Sequence, residues 1–153
     1  MIVSNQDLVD QYKEEDVNKP VIMIVDDEIL NLEIMEEILI ELGFEVITAI
    51  SGEIAIENAY QLLSQNKKIY AIFMDFSMPM MYGDEVTAIL RQDIFLPILH
   101  KTPIIGLTAH TDDDTKNKMM TSGMTRVEHK PFDINRIKML LMEYKLISAD
   151  SRQ

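Results

Sequence analysis

The feature that most constrains this chain is a repeated alternation. Short continuous apolar runs are each followed by a longer segment with helical spacing. Val21–Val25 is the clearest run, five residues with no polar position among them. A strand wetted on one face alternates apolar with polar residues. An unbroken run of this length reads instead as a strand buried on both faces. Further strands are read at 44–49, 70–74, 103–107 and 126–128, and helices at 30–42, 53–64, 83–91, 111–122 and 133–144. In the first helix Ile34, Met35, Ile38 and Leu42 are expected inward and Glu33, Glu36, Glu37 and Glu41 outward, with Gly43 as the cap. Ser51-Gly52 reads as a turn. Thr111, with Asp114 three residues on, resembles a capping box at the start of the fourth helix, and Gly123 ends that helix. Strand and helix alternate five times, which predicts an α/β domain with a doubly wound parallel sheet. Right-handed crossovers then place helices on both faces.

A chain of 153 residues suits one domain with a proper core. Residues 1–19 are polar and are expected to be a tail or linker, with Leu8, Val9 and Tyr12 spaced for a helical turn or two. The domain is expected at 20–147, followed by a C-terminal tail at 148–153. The connection at 93–101 is apolar (Ile94, Phe95, Leu96, Ile98, Leu99) and is expected to be a short helix or loop folded onto the body. No apolar stretch approaches the ~20 residues of a membrane span, and the first residues lack the pattern of a secretory signal. The absence of cysteine excludes a disulfide framework and thiolate chemistry, and a soluble, reducing compartment fits. A net charge of −12 speaks against direct nucleic-acid binding, which needs a basic footprint. It suits divalent cations and partners with basic faces.

Five polar residues sit at or just past the ends of the apolar runs. Asp26 and Asp27 follow Val21–Val25. Asp75 follows the run ending at Met74, Thr108 follows Leu107, and Lys130 follows a weaker run that includes Val127. Each alone has an ordinary explanation: a loop or capping Asp, a strand-end Thr, a surface Lys. In an open parallel sheet, however, the carboxyl ends of all strands share one edge, where ligands bind. The five would therefore converge. Adjacent acids repel unless a cation or base sits with them. Three carboxylates, a hydroxyl and an ammonium are what is needed to hold a hard cation and a phosphoryl group. A carboxylate in Asp75's place can attack phosphorus to form an aspartyl phosphate.

The stretches Ile24-Val25-Asp26-Asp27-Glu28, Phe73-Met74-Asp75-Phe76-Ser77-Met78-Pro79, Gly83, Leu107-Thr108-Ala109-His110 and His129-Lys130-Pro131-Phe132 carry a likeness to a known family. From about Val21 to Leu146 the chain resembles a receiver domain of two-component signalling. Its 104–109 stretch looks most like receivers attached to hybrid histidine kinases. The resemblance implies a flavodoxin-like sheet of strand order 2-1-3-4-5. It implies that Asp75 is the phosphoacceptor and that Mg²⁺ is required. Asp27, Asp75 and the backbone carbonyl of Ser77 would ligate the ion, with Asp26 acting directly or through water. Thr108 and Lys130 would bind the phosphoryl group, and the bond before Pro131 would be cis. The implied donor is a phosphohistidine on a histidine kinase or a histidine phosphotransfer domain, and the implied location is cytoplasmic, without membrane insertion. The implied chemistry is self-phosphorylation and autodephosphorylation rather than turnover of a separate substrate.

The chain departs from the family pattern in three places. Val127 stands where an aromatic switch residue is usual, Tyr82 stands where Asp is frequent, and Ser77 stands where Asn or another polar residue is common. With Val127 there, the response to phosphorylation is expected to be confined to the 108–114 loop and the start of the following helix. Two other readings stand beside this one. A degenerate receiver would act only as an interaction module. A Mg²⁺-dependent phosphatase of the haloacid-dehalogenase type would also use an aspartyl nucleophile, but needs Asp-x-Asp, and Ser77 occupies the second position. With the last helix so near Gln153, the chain is expected to be either a single-domain regulator or a receiver cut from a larger kinase.

Overall fold

A computed structural model describes residues 19–149. The expected helical turns near Leu8, Val9 and Tyr12 lie outside the described residues, as do residues 150–153 of the C-terminal tail. Among the described residues the order is β1 (Val21–Val25), α1 (Ile29–Glu41), β2 (Glu45–Ala49), α2 (Gly52–Ser64), β3 (Ile69–Asp75), α3 (Gly83–Leu90), a single 3₁₀ turn at Asp93–Phe95, α4 (Leu96–Leu99), β4 (Ile104–Thr108), α5 (Asp113–Thr121), β5 (Arg126–His129) and α6 (Ile134–Glu143). All strand pairs are parallel and the sheet runs β2-β1-β3-β4-β5.

Alternate residues of each central strand feed two separate cores. Val21, Met23, Val25, Ile72 and Met74 pack with α2, α3 and α4 on one face. Ile22, Ile24, Phe73, Ile105 and Leu107 pack with α1 and α6 on the other. β1 is buried at every position because both its faces are covered. The apolar 93–101 connection folds onto the body as expected, with Phe95, Ile98 and Leu99 buried.

Three local expectations are corrected. In α1 the buried stripe is Leu32, Met35 and Leu39, while Ile34 is half exposed. Residues three and four apart share a helix face, so a stripe centred on Met35 takes in 32 and 39 and leaves 34 a full 100° away. Ser51 is the cap of α2 rather than part of a free turn: its hydroxyl accepts from Ile54 N–H at 3.2 Å. The cap of α5 is Asp112, not Thr111. Asp112 holds the extended cap position, and its Oδ2 accepts from both Thr115 N–H (2.9 Å) and the Thr115 hydroxyl (2.7 Å).

Candidate functional site

The backbone ladder continues one residue past several strands, and that continuation sets the site. Asp26 N–H donates to Ala49 O (3.1 Å), Phe76 N–H to Leu107 O (2.9 Å), and Lys130 N–H to Thr108 O (2.9 Å). The register sets Val25 beside Met74, Asp75 beside Leu107 and Thr108 beside His129. Asp26, Asp75, Thr108 and Lys130 are thereby gathered on one edge of the sheet.

Gly83 makes the approach of α3 possible. A Cβ there would lie 2.2 Å from the Asp75 carbonyl oxygen. With only hydrogen at that place, Gly83 N–H reaches Phe76 O at 2.9 Å and closes the β3–α3 loop under the site. Within that loop Met80 sits at φ +71° and is almost fully exposed.

Asp26, Asp75 and Thr108 are buried, while Asp27 is exposed. One carboxylate oxygen from each of Asp26, Asp27 and Asp75 lies within 4.8 Å of the others, a set of hard oxygen donors that could hold a divalent cation. Lys130 Nζ is 2.9 Å from Asp75 Oδ1 and 3.4 Å from Asp26 Oδ2. The Lys130–Pro131 bond is cis. Burial pushes the Asp75 carboxyl up to about 6 and the charges of Asp26 and Asp27 push the same way, while Lys130 holds it down. Burial disfavours the Lys130 ammonium, but Asp75 and Asp26 outweigh it and hold Lys130 above the ordinary lysine value. Thr108 Oγ1 accepts from His110 N–H at 3.0 Å, which ties the hydroxyl to the β4–α5 loop.

Sequence reasoning missed Asn31, in the first turn of α1. Its Nδ2 donates to Asp26 Oδ2 (3.3 Å) and to Glu28 Oε2 (3.1 Å), and Asp26 Oδ1 accepts from Glu28 N–H (2.9 Å). The available signal was a lone amide in an apolar helix start, one turn from an acidic pair. Asp26, Asn31, Met35, Lys130 and Phe132 also line a cleft of about 230 Å³ beside the site. A group of rings, Phe76, Tyr82 and His110, was missed as well. Phe76 and Tyr82 stack with centroids 5.5 Å apart and 16° between planes, and His110 meets Phe76 edge-on at 6.0 Å.

A sequence profile of the response regulator receiver domain matches residues 22–142. The chain belongs to this family. The receiver is 31% identical over 135 residues to the osmosensing histidine protein kinase SLN1 of Saccharomyces cerevisiae, a match covering 86% of this chain and 11% of that protein. It is 33% identical over 124 residues to the signal transduction histidine-protein kinase BarA of Escherichia coli, covering 81% of this chain and 13% of that one. The chain thus spans about a tenth of the length of these relatives. Among solved structures it is similar to the receiver domain of sensor histidine kinase PA1611 from Pseudomonas aeruginosa, with 26% identity, a TM-score of 0.68, and coverage of 82% of this chain and 97% of that one. That structure carries a magnesium ion coordinated in its active site cleft. This chain is a receiver domain of two-component signalling with the flavodoxin-like strand order 2-1-3-4-5. Among its described residues no helix is long and apolar enough to cross a membrane.

Proposed function

We propose that this receiver, occupying residues 20–147, takes a phosphoryl group from a phosphohistidine onto Asp75. The reading is carried by one observation: a buried carboxylate at a strand end with an ammonium 2.9 Å away and two further acids within 4.8 Å. An Asp75 oxygen attacks phosphorus, the P–N bond to the donor imidazole breaks, and its electron pair returns to the ring nitrogen. Lys130 offsets negative charge on the phosphoryl oxygens as a point charge. The Thr108 hydroxyl donates to the transferred group. Asp26, Asp27, Asp75 and the Ser77 backbone carbonyl would hold Mg²⁺. The chemistry of the donor set fits that ion, since carboxylate and carbonyl oxygens suit a hard cation and three crowded acids need one. When bound, Mg²⁺ supplies positive charge and Lewis acidity to the phosphoryl oxygens. Hydrolysis of the acyl phosphate resets the domain, so the chain runs its own phosphorylation and dephosphorylation rather than turning over a separate substrate. The partner is a histidine kinase or histidine phosphotransfer domain, not a nucleic acid, and the site of action is the cytoplasm, as part of a hybrid kinase.

The test is transfer from a histidine phosphotransfer domain carrying labelled phosphohistidine. Label should reach the wild type only with Mg²⁺ present and should not reach Asp75→Asn. Lys130→Ala should slow transfer roughly 100-fold, the usual effect of removing one charge-stabilising donor. Equal labelling of wild type and Asp75→Asn would overturn the reading.

A further inference from the structure

The Phe76, Tyr82 and His110 rings join two loops that border Asp75 from different strands. Phe76 is the fixed member. Its N–H is held by Leu107 O and its C=O by Gly83 N–H, both at 2.9 Å, and it is buried. Tyr82 and His110 are exposed enough to move. His110 is bound to the Thr108 hydroxyl, because its backbone N–H donates to Thr108 Oγ1 at 3.0 Å. Tyr82 is the cap residue of α3, and its carbonyl accepts from Val86 N–H at 3.2 Å. The chain of contacts therefore runs from Thr108 through His110, Phe76 and Tyr82 to the start of α3. The fifth strand has no comparable device. Val127 is short and β-branched, has one χ1, and packs into the apolar cluster.

We propose that the His110–Phe76–Tyr82 stack links the Thr108 loop to the start of α3, with Phe76 and Tyr82 as positioning residues of the switch. This rests on Asp75 being the phosphoacceptor. A phosphoryl group there offers new acceptors, and the Thr108 hydroxyl turns to donate to one of them. His110 follows, since its N–H is bonded to the same oxygen. The Phe76 backbone stays in place, because its N–H and C=O are both held, so the altered edge-on contact with His110 turns the Phe76 ring about that backbone. Tyr82, stacked on that ring, repacks and moves the first turn of α3. The surface that changes is the rim formed by the β3–α3 and β4–α5 loops, which broadens the response expected from the sequence.

The experiment is a magnetic-resonance titration of the full chain with beryllofluoride and Mg²⁺ at constant pH. The probes are the Thr108 amide and the ring resonances of His110, Tyr82 and Phe76. In the wild type, Thr108, His110 and Tyr82 should shift together with one midpoint. In Phe76→Leu the Thr108 amide should keep its shift while Tyr82 loses most of its own. Tyr82→Phe, which keeps the stack, should preserve the ring response at position 82. A wild-type Thr108 amide that shifts while the Tyr82 ring stays still overturns the proposal alone, whatever the variants do. A full Tyr82 response in Phe76→Leu overturns it too. A Thr108 amide that does not respond at all overturns the phosphoacceptor reading, and the link with it.

Discussion

Asp75 is held in a conflict that its own fold creates. It is buried and crowded by Asp26 and Asp27, and only Lys130 offsets that. Its carboxyl titrates near 6, against 3.8 in an unfolded chain. A raised acid favours folding below about pH 4, and that contribution is lost as pH rises through about 6. At one pKa unit per ~1.4 kcal/mol, and discounting for the open mouth of the site, the loss is roughly 1–3 kcal/mol. Without Mg²⁺, Asp75→Asn should therefore be more stable than the wild type at pH 8 by about that amount. The gap should close by about pH 4, and denaturant melts at the two pH values measure it. A variant of equal or lower stability at pH 8 would show that Lys130 fully neutralises the site. Asp75 and Lys130 were legible in the sequence because each ends or follows an apolar run, and parallel topology alone gathers such residues. Asn31 was not, since its role depends on how α1 is turned against the end of β1. The ring stack was not either, since it needs the path of two loops.

At the scale of elements, the close approach of α3 to the end of β3 depends on Gly83. A methyl group 2.2 Å from the Asp75 carbonyl oxygen cannot be accommodated without moving backbone. Gly83→Ala should cost about 1–3 kcal/mol by overpacking and should weaken Mg²⁺ binding together with stability, read by denaturation and by titration calorimetry. Unchanged stability would show that the loop yields freely. For α5, Asp112→Ala should lower the denaturation midpoint through loss of the cap, whereas Thr111→Ala should change it much less. That pair of substitutions separates the observed cap from the one the sequence suggested. The elements themselves were legible because buried parallel strands write long apolar runs. Helix phase was less so. α1 has apolar residues on nearly all sides, with Ile29, Leu30, Ile34 and Ile40 exposed, and periodicity alone could not say which of them faces the sheet. Capping was ambiguous because Thr111, Asp112, Asp113 and Asp114 are all competent types, and only hydrogen-bond geometry chooses among them.

For the whole molecule, a cation on the acidic edge should act as a folding ligand. Mg²⁺ at about ten times its Kd contributes roughly 1.4 kcal/mol, or about 3–6 °C in Tm for a domain of this size. Asp27→Ala, which removes one ligand without disturbing a buried pair, should lose most of that rise. Equal rises in both proteins would refute a site that uses Asp27. The apparent Mg²⁺ affinity should also fall as pH drops through about 6, because Asp75 must give up its proton to bind. The central claim is that one carboxylate, Asp75, receives the phosphoryl group, and the most direct test names the modified atom's residue. The protein is phosphorylated with acetyl phosphate and Mg²⁺, the acyl phosphate is reduced with borohydride, and the peptides are mapped by mass spectrometry. Reduction to homoserine should be found at position 75 and nowhere else, and should vanish without Mg²⁺. Homoserine at Asp26 or Asp27, or phosphoryl uptake that persists undiminished in Asp75→Asn, would contradict the account.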